Sequence, residues 1–122
     1  MVNDKLTEKI IACCFKVHSE LGPGFVERIY HCALKVALEE DGIDFDSEKD
    51  FSVFYQDQRV GSFRCDFFIE NEVILEIKSV SGIMPILFQQ QVISYLKASK
   101  SKVGLLVNFG GKSVVVKRLI NS

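Results

Sequence analysis

The sequence predicts an α+β sandwich, a mixed central sheet flanked by helices, with elements in the order α-α-β-β-β-α-β-β. Three observations carry this. The first forty residues repeat their apolar positions at helical spacing, residues 50–80 alternate with period two between polar turns, and a proline-led helical segment separates that stretch from two further strand-like runs.

The first helix is expected from about Leu6 to Leu21, where Leu6, Ile10, Cys13, Cys14, Val17 and Leu21 form one stripe and Gly22-Pro23-Gly24 stops it. A second runs from about Phe25 to Glu40, with Val26, Ile29, Ala33, Val36 and Ala37 expected inside and Gly42 as its stop. Strands follow near Asp50–Tyr55, Arg59–Ile69 and Val73–Val80. Pro85 suits the first turn of a third helix reaching about Ala98. The last strands, near Val103–Asn108 and Ser113–Leu119, flank a Gly110-Gly111 turn.

Composition narrows the class. A chain of 122 residues with 48% hydrophobic and 25% charged residues reads as one globular domain, residues 1–122. No apolar run approaches the ~20 residues that span a bilayer, and Met1–Lys5 lacks the apolar stretch of a secretory signal. Cys13, Cys14, Cys32 and Cys65 show no zinc-ligand spacing and are read as reduced core residues of a cytoplasmic protein. A net charge of −1 gives no general attraction to nucleic acid, so such binding needs a local basic patch or bridging cations. Lys97, Lys100, Lys102, Lys112, Lys117 and Arg118 are the one basic concentration, either a solvated face or a track for a phosphate backbone.

The chemistry concentrates on the second and third strands. Alternation puts Phe63, Cys65, Phe67 and Ile69 on one face and Val73, Leu75 and Ile77 on the matching one. For these rows to lie on the same side, the hairpin needs an odd-numbered loop or a bulge, and Asp66 then faces Glu76 with Lys78 two residues along. Glu-x-Lys alone is a weak signal: nine glutamates and eleven lysines in 122 residues give about one such pair by chance. A solvated ion pair is the plain alternative. The strand around the pair is apolar, however, as a central strand would be, and charges there need partners.

Asp66 followed by Glu76-Ile77-Lys78 resembles the active-site signature of the PD-(D/E)xK nuclease superfamily. Gly24-Phe25-Val26-Glu27-Arg28-Ile29-Tyr30 fits the motif of the GxxExxY protein family, a small-domain branch of that superfamily. Val17–Gly24, Ser94–Ala98 and Gly104–Gly110 are similar to it as well, so the resemblance spans nearly the whole chain. It implies a restriction-endonuclease-like core and a Mg²⁺- or Mn²⁺-dependent phosphodiesterase acting on nucleic acid, DNA more than RNA. Asp66 and Glu76 would be metal ligands, with the Ile77 carbonyl a further oxygen ligand, and Glu27 would complete one metal site, hold a second ion or anchor a bound water. Lys78 would act on the attacking water. Gln91 and Tyr95 match the Gln-x-x-x-Tyr motif of a recombination-repair exonuclease branch, which implies a polar contact from Gln91 and substrate positioning by Tyr95. Tyr30 is read as packing, its hydroxyl at the site edge and open to a positioning role. Where the family often has a histidine this chain has Phe88, so that histidine's role is not carried over. His18 and His31, the latter expected on the outer side of its helix, are read as structural. The rival reading is a non-catalytic module that binds nucleic acid or protein on the same fold. The small size suggests a homodimer.

Overall fold

A computed structural model of the chain describes residues 4–121; Met1–Asn3, part of the segment read for a leader, lie outside the described residues. The elements are α1 (Asp4–Leu21), α2 (Glu27–Glu40), β1 (Phe45–Tyr55), β2 (Gln58–Ile69), β3 (Val73–Lys78), α3 (Ile86–Ser99), β4 (Val103–Asn108) and β5 (Val115–Ile120). The order is the expected one. The strands form a single sheet in sequence order, antiparallel except where β3 and β4 run parallel, which makes β3 central.

Three layers result. Leu6, Ile10, Cys13, Cys14 and Val17 of α1, with Tyr30, Leu34 and Leu38 of α2, pack on Phe67, Ile69, Leu75, Ile77, Leu105 and Val107. Across the sheet, Val92 and Leu96 of α3 pack on Cys65, Ile74 and Leu106. Gly104 lets α3 sit close: a Cβ there would lie 2.7 Å from a Val92 methyl.

Three expectations are corrected. β1 begins at Phe45, not Asp50; its first half, Phe45-Asp46-Ser47-Glu48-Lys49, carries one apolar residue because it is an edge strand needing only one covered face. The buried side of α2 is Tyr30, His31, Leu34, Ala37 and Leu38, while Val26, Ile29 and Val36 are exposed. His31 is therefore inside, its ring stacked on Phe67 at 4.4 Å. Cys32 is exposed, unlike the other three cysteines.

The third correction bears on the site. Phe63 and Cys65 do not share a face with Phe67 and Ile69: the former join the α3 side and the latter the α1/α2 side. β1 reverses with its partner, since Phe45 packs on Phe67 while Phe51 stacks on Phe63. The turnover falls at Glu48 and Asp66, between the pairs Ser47↔Phe67 and Lys49↔Cys65. Glu48 takes it up with a φ of 57°, a left-handed conformation uncommon for a non-glycine residue within a strand. Arg28 and His31 of α2 face its carboxylate at 2.8 and 3.9 Å.

The exit from β3 is held by a buried amide. Asn108 Oδ1 accepts from the Val80 and Gly110 N–H groups, and its Nδ2 donates to the Val80 carbonyl, each at 3.0 Å. Gly110, expected as a turn residue, is needed because a Cβ would lie 2.2 Å from the Val80 oxygen. Asn108→Ala leaves three main-chain groups without partners, at about 1–3 kcal/mol for each that stays dry. Urea unfolding should show a loss of at least about 2 kcal/mol, with less lost in Asn108→Asp, which keeps the acceptor.

Candidate active site

β2 and β3 are joined by a three-residue turn in which Glu70 and Asn71 both have positive φ, 53° and 54°. The odd loop sets the pairs Ile69↔Val73, Phe68↔Ile74 and Phe67↔Leu75. One step further, where Asp66 and Glu76 come opposite each other, the main-chain pairing ends and two side chains take its place. The Asp66 N–H donates to Glu76 Oε2 at 2.6 Å, and the Ile77 N–H donates to Asp66 Oδ2 at 2.8 Å. Each carboxylate thus occupies a position that a carbonyl would fill in a continued ladder.

The gap is apolar in its surroundings and poor in countercharge. Glu76 is 4% exposed, and neither it nor Asp66 makes a salt bridge among the described residues. Burial, then the charge of Asp66, pushes the Glu76 carboxyl up to about 8. Burial also raises Asp66, against the pull of the Ile77 amide. Because the N–H and C=O of a strand residue point the same way, the Ile77 carbonyl faces this gap while that of Lys78 faces β4, where it accepts from Phe109 N at 2.9 Å.

Lys78 shares the strand face of Glu76. Its ammonium lies 4.6 Å from the ring centre of Phe88, in the first turn of α3. Further along α3 the ring of Tyr95 stacks on Phe63 at 4.0 Å, and after burial the charges of Glu76 and Asp66 raise its hydroxyl. Gln91 lies between these two on the same helical row. It is exposed, and no hydrogen bond among the described residues ties it to the carboxylates.

Glu27 opens α2. Its residue heads the buried row of that helix rather than flanking it, because the stripe is rotated from the expected one. Ser79 Oγ donates to the Phe25 carbonyl at 2.8 Å and so ties the helix entrance to the end of β3. Burial, then the charge of Asp66, raises the Glu27 carboxyl, with Lys78 opposing. No group of three or more His, Cys, Asp or Glu side chains gathers at metal-binding range among the described residues, while the Glu27 charge in turn raises Glu76. Tyr30 is fully buried, which removes it from substrate contact: its hydroxyl donates to the Gly22 carbonyl and accepts from Phe25 N, and its ring stacks on Phe109 at 4.8 Å. The basic concentration is split: Lys117 pairs with Leu106, the β4 neighbour of Glu76, and Lys112 follows the same end of β4. Lys97, Lys100 and Lys102 lie at the end of α3 and the start of β4, the opposite end of the parallel pair from Glu76 and Lys78.

Sequence reasoning missed the part that four residues play in shaping the site. Glu48 makes the strand turnover, Asn108 and Gly110 fix the strand exit, and Phe88 holds the lysine. Asn108 and Gly110 lay inside a quoted run, Gly104–Gly110, but nothing local marked them as partners of Val80.

An α/β/α sandwich with paired acids on its central strands and a lysine two residues on has the architecture of a nuclease-like domain. The chain belongs to the PD-(D/E)XK nuclease superfamily, whose family model matches residues 4–119. The crystal structure of SSO0001 is similar in fold, with a TM-score of 0.63 at 20% identity over 77% of this chain. The match spans 49% of that longer chain. No curated protein matches. The fold is thus α+β and restriction-endonuclease-like, and members of the superfamily generally use divalent metals. No described helix is long and apolar enough to cross a membrane.

The Glu76 shift sets the sign of a pH dependence. A carboxyl whose folded pKa is raised favours the folded state while protonated. Its contribution is complete below the ordinary value of 4.5 and is lost as pH rises through about 8. Metal-free protein should therefore melt at lower temperature at pH 8.5 than at pH 5.5. Glu76→Gln should flatten this slope, and Mn²⁺ should raise the melting temperature most at the alkaline end.

Proposed function

We propose that the domain is a Mg²⁺- or Mn²⁺-dependent phosphodiesterase that hydrolyses nucleic acid, DNA before RNA, and that within its superfamily it is a GxxExxY protein. One observation carries the reading: two desolvated carboxylates share a gap with a main-chain carbonyl and, among the described residues, make no salt bridge, although Lys78 acts on both from a distance. Ion-pair partners normally accompany buried acids, since an uncompensated charge costs several kcal/mol. Hard oxygen donors whose charge no contacting cation offsets suit a divalent ion, which fits Asp66, Glu76 and the Ile77 carbonyl as the residues that would hold it. Such an ion, when bound, acidifies water and offsets charge on the scissile phosphate.

The chain's own groups then have separable tasks. Asp66 and Glu76 would hold the cation at the gap as carboxylates. Lys78, steadied against Phe88, directs its N–H donors at the attacking water or at a phosphate oxygen, where negative charge grows as the bond to phosphorus forms. Glu27, at the mouth and outside the pair, accepts a hydrogen bond from water rather than completing the inner set. Tyr95, held flat by Phe63, and Gln91 beside it border the route by which a strand reaches the gap.

Purified Asp66→Ala and Lys78→Ala proteins should each lose at least about 100-fold in Mn²⁺-dependent cleavage of plasmid and single-stranded DNA. Lys78→Ala should keep the wild-type circular dichroism and melting profile. Cleavage at wild-type rate by either variant would refute the assignment.

A further inference from the structure

β1 lies on the other side of Asp66 from Glu76, and it carries polar side chains that the proposed chemistry leaves unused. Among the described residues, non-glycine positions with positive φ lie in turns or at a helix end, except Glu48, which lies inside a strand. A glycine would take its φ of 57° without steric cost, yet a glutamate stands there. Its side chain is held. The Arg28 guanidinium donates to the carboxylate at 2.8 Å, and His31 Nε2 lies 3.9 Å from the same oxygen. Ser47 Oγ also lies 3.3 Å from that nitrogen. Neighbours along a regular strand point to opposite faces, so Ser47 and Glu48 meet one imidazole only because the strand turns over there.

Three observations tie this clamp to Asp66. Glu48 stands opposite it in β2, between the pairs Ser47↔Phe67 and Lys49↔Cys65. The buried His31 ring stacks on Phe67, the next residue along. The Asp66 carboxyl, raised first by burial and lowered by the Ile77 amide, is also lowered by His31 and raised by Glu48.

We propose that Glu48 is a positioning residue for Asp66. Arg28 and His31 hold its carboxylate, and its left-handed backbone then fixes how Asp66 meets the Ile77 amide and the Glu76 carboxylate. Strained residues persist where their surroundings over-determine them, and two contacts from a neighbouring helix supply that here. A purely architectural turn would be served as well by glycine. The consequence for metal binding and cleavage rests on the nuclease reading; the consequence for the two bridging hydrogen bonds does not.

Glu48→Gly keeps the turn and removes the grip, whereas Glu48→Gln keeps an acceptor for Arg28 and removes the charge. Amide hydrogen exchange followed by NMR on the metal-free proteins reads the two bridging hydrogen bonds directly. Glu48→Gly should speed exchange at Asp66 and Ile77 roughly tenfold, leave Leu75 in the regular ladder unchanged, and not lower the melting temperature. Mn²⁺ affinity should fall about tenfold with it, as the loss of a group that orients a ligand usually costs. Glu48→Gln should restore most of both. Should Glu48→Gly not fold, Arg28→Met removes the same ion pair from the surface and carries the same expectation. Exchange at Asp66 and Ile77 that matches wild type overturns the proposal. So does faster exchange of Leu75 alongside them, which would make Glu48 a general prop of the sheet. A Glu48→Gln protein as impaired as Glu48→Gly also overturns it, since charge alone would then be the cause. Selective loss of protection in a protein whose wild type neither binds Mn²⁺ nor cuts nucleic acid removes the nuclease reading and leaves the positioning role.

Discussion

At one point in this sheet two carboxylates do the work of main-chain carbonyls. β2 and β3 pair regularly for three residues, and then Glu76 takes the Asp66 amide while Asp66 takes the Ile77 amide. The strands stay joined without the ladder continuing, and everything near the site follows from that. The long β1–β2 hairpin is free to turn over and lie against α3, and the Ile77 carbonyl is left facing a gap rather than a partner strand. The exchange is costly in charge, because two acids share a poorly solvated space and make no salt bridge among the described residues, with only the more distant charge of Lys78 to ease both.

The rest of the molecule keeps that gap in shape. Glu48 absorbs the turnover of β1 in one strained residue, tied down by Arg28 and His31. The Phe63–Tyr95 stack fastens the hairpin to the opposite helix layer. On the third side Asn108 and Gly110 seize Val80 just beyond Lys78, and Ser79 anchors the entrance of α2. These contacts come from all three layers. A shift in any one would move an acid or the lysine relative to the others, and positioning errors of about 1 Å are costly to catalysis.

The sequence carried the element order and the facing of Asp66 and Glu76, because both follow from periodicity and from counting the residues of one loop. Periodicity failed where the backbone breaks its own rule. Phe63 and Cys65 alternate correctly with Phe67 and Ile69 on paper, yet lie across the sheet, since the reversal at Glu48 and Asp66 leaves no mark in composition. The α2 stripe was misread for a different reason. Val26, Ile29 and Val36 are as apolar as the residues that are buried, and only contact with the sheet decides between the rows. Tyr30 and His31 won because their polar atoms find partners inside: the Gly22–Phe25 loop for one and Ser47, with Oγ 3.3 Å from Nε2, for the other.

The position of Glu27 follows from the same charge balance. Asp66 and Glu76 already raise each other's cost of ionisation, and a third acid in the gap would deepen it. At the first turn of α2 Glu27 is exposed, yet partial burial of its side chain raises its carboxyl. It still feels the charges of Asp66 and Lys78. Its own charge is felt in return at Glu76, so the entrance of α2 and the carboxylate pair are linked electrostatically.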